Sequence, residues 1–139
     1  MNQTAKRRLA AALTVIVLAL AAVVGYISLK PVSVSYSDSD IFSEEALQSA
    51  VACVKEDFKA LKGCKLFALS YNGDETTLHE TERQLRHGST YDEYIVIDSK
   101  FLSPVFGGGG WNARRIYTWN WILGRSVGGE WVVIDRGYC

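Results

Sequence analysis

Apolar positions along the chain fall into three patterns, each predicting a different element. From Leu9 to Leu29 they run through 21 residues without a charge. As a helix this stretch spans about 31 Å, enough for a hydrocarbon core of about 30 Å. From Ser43 to Leu61 they recur at helical spacing, with Leu47, Ala50, Val51, Val54, Phe58 and Leu61 on one stripe. Ser43 is placed to cap that helix, Glu44 and Glu45 suit the positive end of its dipole, and Phe42 and Leu47 have hydrophobic-staple spacing. Lys62-Gly63 is a C-terminal stop. From Ile116 onward the positions alternate. Tyr117, Trp119, Trp121 and Leu123 share one face, and Ile116, Thr118, Asn120 and Ile122 the other. Alternation of aromatic and β-branched residues predicts a strand. Trp131 to Ile134 predicts its return, across a Ser126-Val127-Gly128-Gly129 turn. A lone hairpin is marginal in water, so one face is expected to pack on the 43–61 helix. The other is expected to meet a pocket, a partner or a second layer.

Weaker patterns fill the intervals. Residues 30–40 are rich in serine and read as a tether. Cys64 to Tyr71 predicts a strand and Asn72-Gly73-Asp74 a turn. Thr77 and Glu80 have capping-box spacing and open a short polar surface helix to about His87, closed by Gly88. Tyr91 to Phe101 predicts another strand, and residues 102–113, with four consecutive glycines, a loop. The predicted order after the apolar span is α-β-α-β-β-β. It describes an α+β domain over residues 41–139, with a long helix packed on a curved antiparallel four-stranded sheet.

Charge changes this picture in two ways. The whole chain is neutral, yet residues 1–30 hold Lys6, Arg7, Arg8 and Lys30 and no acid. The basic cluster before the apolar run outweighs Lys30. This predicts a single-pass cell-membrane protein with residues 1–8 inside and the C-terminal domain outside. A signal peptide shares the basic start, but its apolar core is shorter, about 7–15 residues. The rest of the chain has 11 basic and 15 acidic residues, which argues against nucleic acid as a partner.

Few residues offer chemistry. Cys53 and Cys64 are separated by about 15 Å of helix, too far for a disulfide, so a bridge would need Cys139. His79 and His87 lack the i, i+4 spacing of helical metal ligands and have Arg83 between them. Gly107 to Gly110 lacks the Lys-Ser/Thr end of a phosphate loop. No metal or cofactor is therefore assigned. Asp98 and Asp135 sit among apolar strand residues. Either could be a general base in a pocket, or a strand-end acid on a solvated face beside Lys100 or Arg136. Tyr117, Trp119, Trp121, Trp131 and Tyr138 could line a cavity or a sugar-stacking surface, or fill the core.

The chain from about Ile41 to Tyr138 resembles a group of uncharacterised bacterial extracytoplasmic domains. The resemblance is carried by Gly63-Cys64-Lys65-Leu66, Tyr117-Thr118 with Trp119-Asn120-Trp121-Ile122-Leu123, Gly129-Glu130-Trp131 and Gly137-Tyr138. More broadly the pattern resembles the cystatin-like α+β roll, seen also in nuclear-transport-factor-like and polyketide-cyclase-like domains. That resemblance implies a curved sheet wrapped on one helix; it implies no activity, because one fold hosts many functions. Three functions stay open. The first is a non-enzymatic module binding a small ligand, an envelope polymer or a protein. The second is a small pocket enzyme of the cyclase or isomerase type using a buried aspartate. The third is a structural or assembly module.

Overall fold

In a computed structural model describing residues 2–138, the chain divides after Pro31 into two compact units. The first is α1, Gln3–Leu29, long and apolar enough to cross a membrane. The Asn2 side chain accepts from Ala5 N at 2.9 Å to cap it, and Thr14 Oγ1 donates to Ala10 O at 3.0 Å. Pro31 and the extended conformation of Lys30 end it. The helix includes the basic residues Lys6 to Arg8, which were expected to form a separate tail.

The second unit orders its elements as β1 Ser33–Tyr36, α2 Glu44–Phe58, β2 Lys65–Tyr71, α3 Asp74–Arg86, β3 Glu93–Leu102, β4 Ile116–Arg125 and β5 Val132–Gly137. The sheet is mixed and five-stranded, in the order β1-β2-β3-β4-β5, rather than antiparallel and four-stranded. The added strand is β1, which pairs in parallel with β2. It lies within the stretch expected to be a tether. Val32 and Val34 pack against the core, so the alternating Ser33 and Ser35 mark the other side of a short strand.

Ser43 Oγ accepts from Ala46 N at 3.2 Å and starts α2. The expected stripe is buried from Leu47 through Phe58, while Leu61 lies beyond the last helical turn and is half-buried. Phe42 closes the near end, edge-on to Trp131 at 5.7 Å and Tyr71 at 6.3 Å. Facing α2 are Leu66 and Leu69 of β2, Ile95, Ile97 and Phe101 of β3, and Trp121 and Leu123 of β4. All of these core residues lie in 42–131, and α1 buries none of its own, so residues 32–138 carry a complete core. The longest ladder joins β3 to β4 over ten pairs, against five for the β4–β5 hairpin that the sequence emphasised.

The α3 helix differs from expectation. It begins at Asp74, and Thr77 lies inside it rather than capping it. Its buried residues are Thr77 and Glu80, while Leu78 and Leu85 are exposed. β2 leaves β3 after the Ser70–Asp98 pair, which would strand the Val96 N–H on a sheet edge. Thr77 Oγ1 accepts that proton at 3.2 Å. The helix thus covers an edge by hydrogen bonding instead of by an apolar face. Asp74, at its start, accepts from Ser39 Oγ at 2.6 Å, Tyr71 Oη at 2.5 Å and Asp40 N at 2.8 Å. These bonds hold its carboxyl below the ordinary value and tie the 39–42 loop to the sheet.

Candidate functional site

The helix-facing side of the sheet is apolar, whereas the other side is buried and apolar at Tyr94 and Val96 and polar around Asp98; the sequence-predicted residues divide between the two. Trp121 is fully buried on the helix-facing side, and its Nε1 donates to Ser99 Oγ at 2.8 Å. Ser99 Oγ in turn donates to Trp119 O at 3.1 Å. Trp131 is also buried, with Nε1 donating to Ala46 O at 3.1 Å and the Arg125 guanidinium 4.3 Å above its ring. Both are core residues with satisfied polar atoms. Tyr117 and Trp119 continue the same face toward the sheet end, where Phe101 stacks on Tyr117 at 5.7 Å and meets Trp119 edge-on at 5.2 Å. Tyr138 flanks them at 6.1 and 6.2 Å. Trp111 joins the cluster, 5.1 Å from Tyr117 and 5.4 Å from Trp119. It was assigned only to a loop; an aromatic ring closing a glycine run was the available signal. Among the described residues no tryptophan is among the exposed large apolar side chains, so the tryptophans pack on the other rings and on the core, whereas Tyr138 is exposed at the edge of the cluster.

The open face is the opposite one. Strand register places Ser35, Ser70, Asp98, Asn120 and Gly137 side by side, one from each strand. A second row, Ser33, Ala68, Lys100 and Thr118, lies next to it. Except for Ser33 and Gly137, these residues line a trough of about 400 Å³, together with Asn72, Ser99 and Trp119. Asp98 is central and half-buried. Its Oδ2 accepts from Asn72 Nδ2. Its Oδ1 is shielded from solvent and has no donor. Burial raises the Asp98 pKa, and the Asn72 hydrogen bond opposes that rise. A carboxylate oxygen shut away from water without a donor is costly, and a ligand hydroxyl or ammonium would satisfy it.

Asp135 does not join Asp98. It pairs with Ile122, two residues further along β4 than Asn120, and lies on the far side of that strand. Strand spacing puts the two Cα atoms about 12 Å apart. Asp135 is exposed, and its Oδ1 accepts from Arg136 N at 2.8 Å. The Arg136 side chain instead pairs with Asp57 of α2 and lies 5.3 Å from the Trp121 ring.

A broader cleft of about 760 Å³ separates α2 from β5, with Cys53, Asp57, Glu130, Trp131 and Val133 on its walls. Cys53 Sγ donates to Trp131 O at 3.3 Å, and burial raises its pKa above the ordinary thiol value. Cys53 and Cys64 are free thiols, and Cys139 lies outside the described residues. Among the described residues no cluster of His, Cys, Asp and Glu has the makings of a metal site.

No family model matches the chain, and comparison with curated proteins and with solved structures also found no match. The geometry alone therefore ranks the candidates. The Asp98 trough combines a concave surface with two buried polar atoms among its lining residues that lack partners, Asp98 Oδ1 and Trp119 Nε1, whereas Asp135 offers no such atom.

Proposed function

We propose that this is a membrane-anchored binding protein whose extracytoplasmic domain holds a small polar ligand in the Asp98 trough without turning it over. The observation that carries the reading is the Asp98 Oδ1 without a donor at the centre of a row of small side chains. The trough offers hydroxyl and amide groups from Ser35, Ser70, Thr118 and Asn120, which suit a ligand rich in hydroxyl or amino groups. Lys6, Arg7 and Arg8 against Lys30 support an N-terminus inside and residues 32–139 outside. A single long helix on one face of strands in sequential order supports a cystatin-like roll; the parallel β1 and the edge-covering α3 are additions to what that resemblance implies.

A second reading makes Asp98 a general base, and its raised pKa favours this. It needs a partner acid, and Lys100 is the only charged side chain beside Asp98 in the trough. Both readings are tested by the melting temperature of residues 32–139 against polyols, sugars and amines. A ligand at a hundred times its Kd adds about 2.7 kcal/mol of stability. The binding reading expects a shift that Asp98→Asn removes, with the ligand recovered unchanged. A shift retained by Asp98→Asn, or none across the library, overturns it. Recovery of a converted compound moves the assignment to the enzyme.

A further inference from the structure

One end of the domain has a different character from its other surfaces. Pairing brings Lys65, Leu102 and Ile116 together at the end of the sheet where loop 103–115 emerges. This loop is well bonded. Ser103 N donates to Arg115 O and Arg115 N to Ser103 Oγ, each at 2.8 Å, while Arg114 N donates to Pro104 O at 3.2 Å. Gly108 and Trp111 exchange two bonds, and a Cβ on Gly107 would stand 2.9 Å from Trp111 O. The closed loop holds Phe106 outward at 95% exposure, next to Val105 at 40%, and Ile116, where the chain leaves the loop for β4, is 60% exposed. No packing in the domain accounts for a phenylalanine held in water by an ordered loop.

Cations gather at this end, where the nearby acids Glu56 and Asp57 of the last α2 turn are already paired with Lys59 and Arg136. Residues 61–66 and 102–117 carry Lys62, Lys65, Arg114 and Arg115 and no acid. Asp38, Asp40, Asp74 and Asp92 belong to the opposite end, where β2 finishes and β3 begins. Sequence composition predicted no basic patch, because the net acidity of residues 31–139 averages over this separation. β1 runs parallel to β2 and starts opposite Ala68, so the chain enters the sheet from the basic, apolar end. In sequence only Lys30, Pro31 and Val32 lie between α1 and β1.

We propose that this end is a lipid-binding surface: Phe106 and Val105 insert into the interface of an anionic bilayer while Lys62, Arg114 and Arg115 face its phosphates. Exposed apolar residues ringed by cations are the composition that interfacial binding requires. The site would be a second contact with the membrane, independent of the apolar helix and of the Asp98 trough.

The test uses residues 32–139, whose core is complete, mixed with vesicles of phosphatidylcholine with or without phosphatidylglycerol. Sedimentation should show binding to the anionic vesicles that weakens as salt rises. Arg114→Gln/Arg115→Gln should lower the partition coefficient about 30-fold, from roughly fivefold per cation. Phe106→Ser should lower it about tenfold. Both variants change exposed side chains, and circular dichroism and melting temperature check that they stay folded. A folded wild-type domain that ignores anionic vesicles overturns the proposal. So does equal binding by both variants, binding to pure phosphatidylcholine of the same strength, or retention on soluble heparin without vesicle binding.

Discussion

Thr77→Val is the sharpest test of how α3 belongs to the fold. The side chains are nearly isosteric, Thr77 is 1% exposed, and the change removes a single oxygen. In the wild type that oxygen accepts from Val96 N at 3.2 Å and also bonds to Tyr71, whose hydroxyl donates to Asp74 at 2.5 Å. With valine the Val96 amide faces a methyl group on a strand that β2 has already left. An orphaned buried donor costs about 1–3 kcal/mol, and the extra methyl buried in place of a hydroxyl offsets only part of it. A net loss of about 2 kcal/mol lowers the melting temperature of a domain of about 100 residues by roughly 8–16 °C. Thr77→Ser keeps the oxygen and should recover most of this. The assay is thermal unfolding of the three proteins, with hydrogen exchange at the Val96 amide as a local readout. A Thr77→Val domain within about 0.5 kcal/mol of wild type, with Val96 equally protected, would refute edge covering by this bond.

Other consequences follow from single contacts. Gly124→Ala places a Cβ 2.7 and 2.8 Å from two Tyr91 ring carbons, so it should cost about 1–3 kcal/mol in denaturant unfolding and much less in a Tyr91→Ala background. Equal costs in both backgrounds would remove the clash as the cause. Asp98 has a raised pKa in the folded state, so its contribution is most favourable below the unfolded value near 3.9 and is lost as pH rises through the folded value. Asp98→Asn should therefore melt higher than wild type at pH 7, with the gap closing toward pH 3; a lower melting temperature at pH 7 contradicts the desolvation account. Asp74 has the opposite sign. Its lowered pKa stabilises above the unfolded value and loses that effect as pH falls through the folded one, so Asp74→Asn should flatten the acid limb of the stability profile. An unchanged acid limb would place the stabilising group elsewhere.

Legibility in the sequence followed the range of the interaction. The α2 stripe, its Ser43 cap, the apolar α1 and the alternation of β4 all depend on neighbours within one element, and the structure repeats them. β1 was hidden because a four-residue edge strand, Ser-Val-Ser-Tyr, has the composition of a linker until β2 is beside it. The buried face of α3 was hidden because it is polar. Thr77 works through Val96, and burial pushes the Glu80 pKa up less than Arg83 and Gln84 pull it down. Asp98 was visible as an acid among apolar residues. Its surroundings were not, since the row from Ser35 to Gly137 exists only through four strand registers. Trp111 and the basic end were missed for the same reason: they are made by residues distant in sequence.

A polar outer face does not by itself mark a site, because a sheet covered on one side usually presents polar residues to water on the other. What distinguishes this one is how Asp98 sits in it. A carboxylate on a solvated face keeps both oxygens wet and its ordinary pKa. Here Asn72 takes Oδ2, the flanking residues close off Oδ1, and the resulting desolvation works against the folded state at neutral pH. Asparagine at this position would keep the size and remove that cost. On the helix-facing side Ser99 of β3 and Ala46 of α2 satisfy the Trp121 and Trp131 ring nitrogens, while Trp119 Nε1, whose residue also lines the trough, is left without a partner like Asp98 Oδ1. An acid left unmatched at the centre of five strands is the local inconsistency expected where stability gives way to recognition.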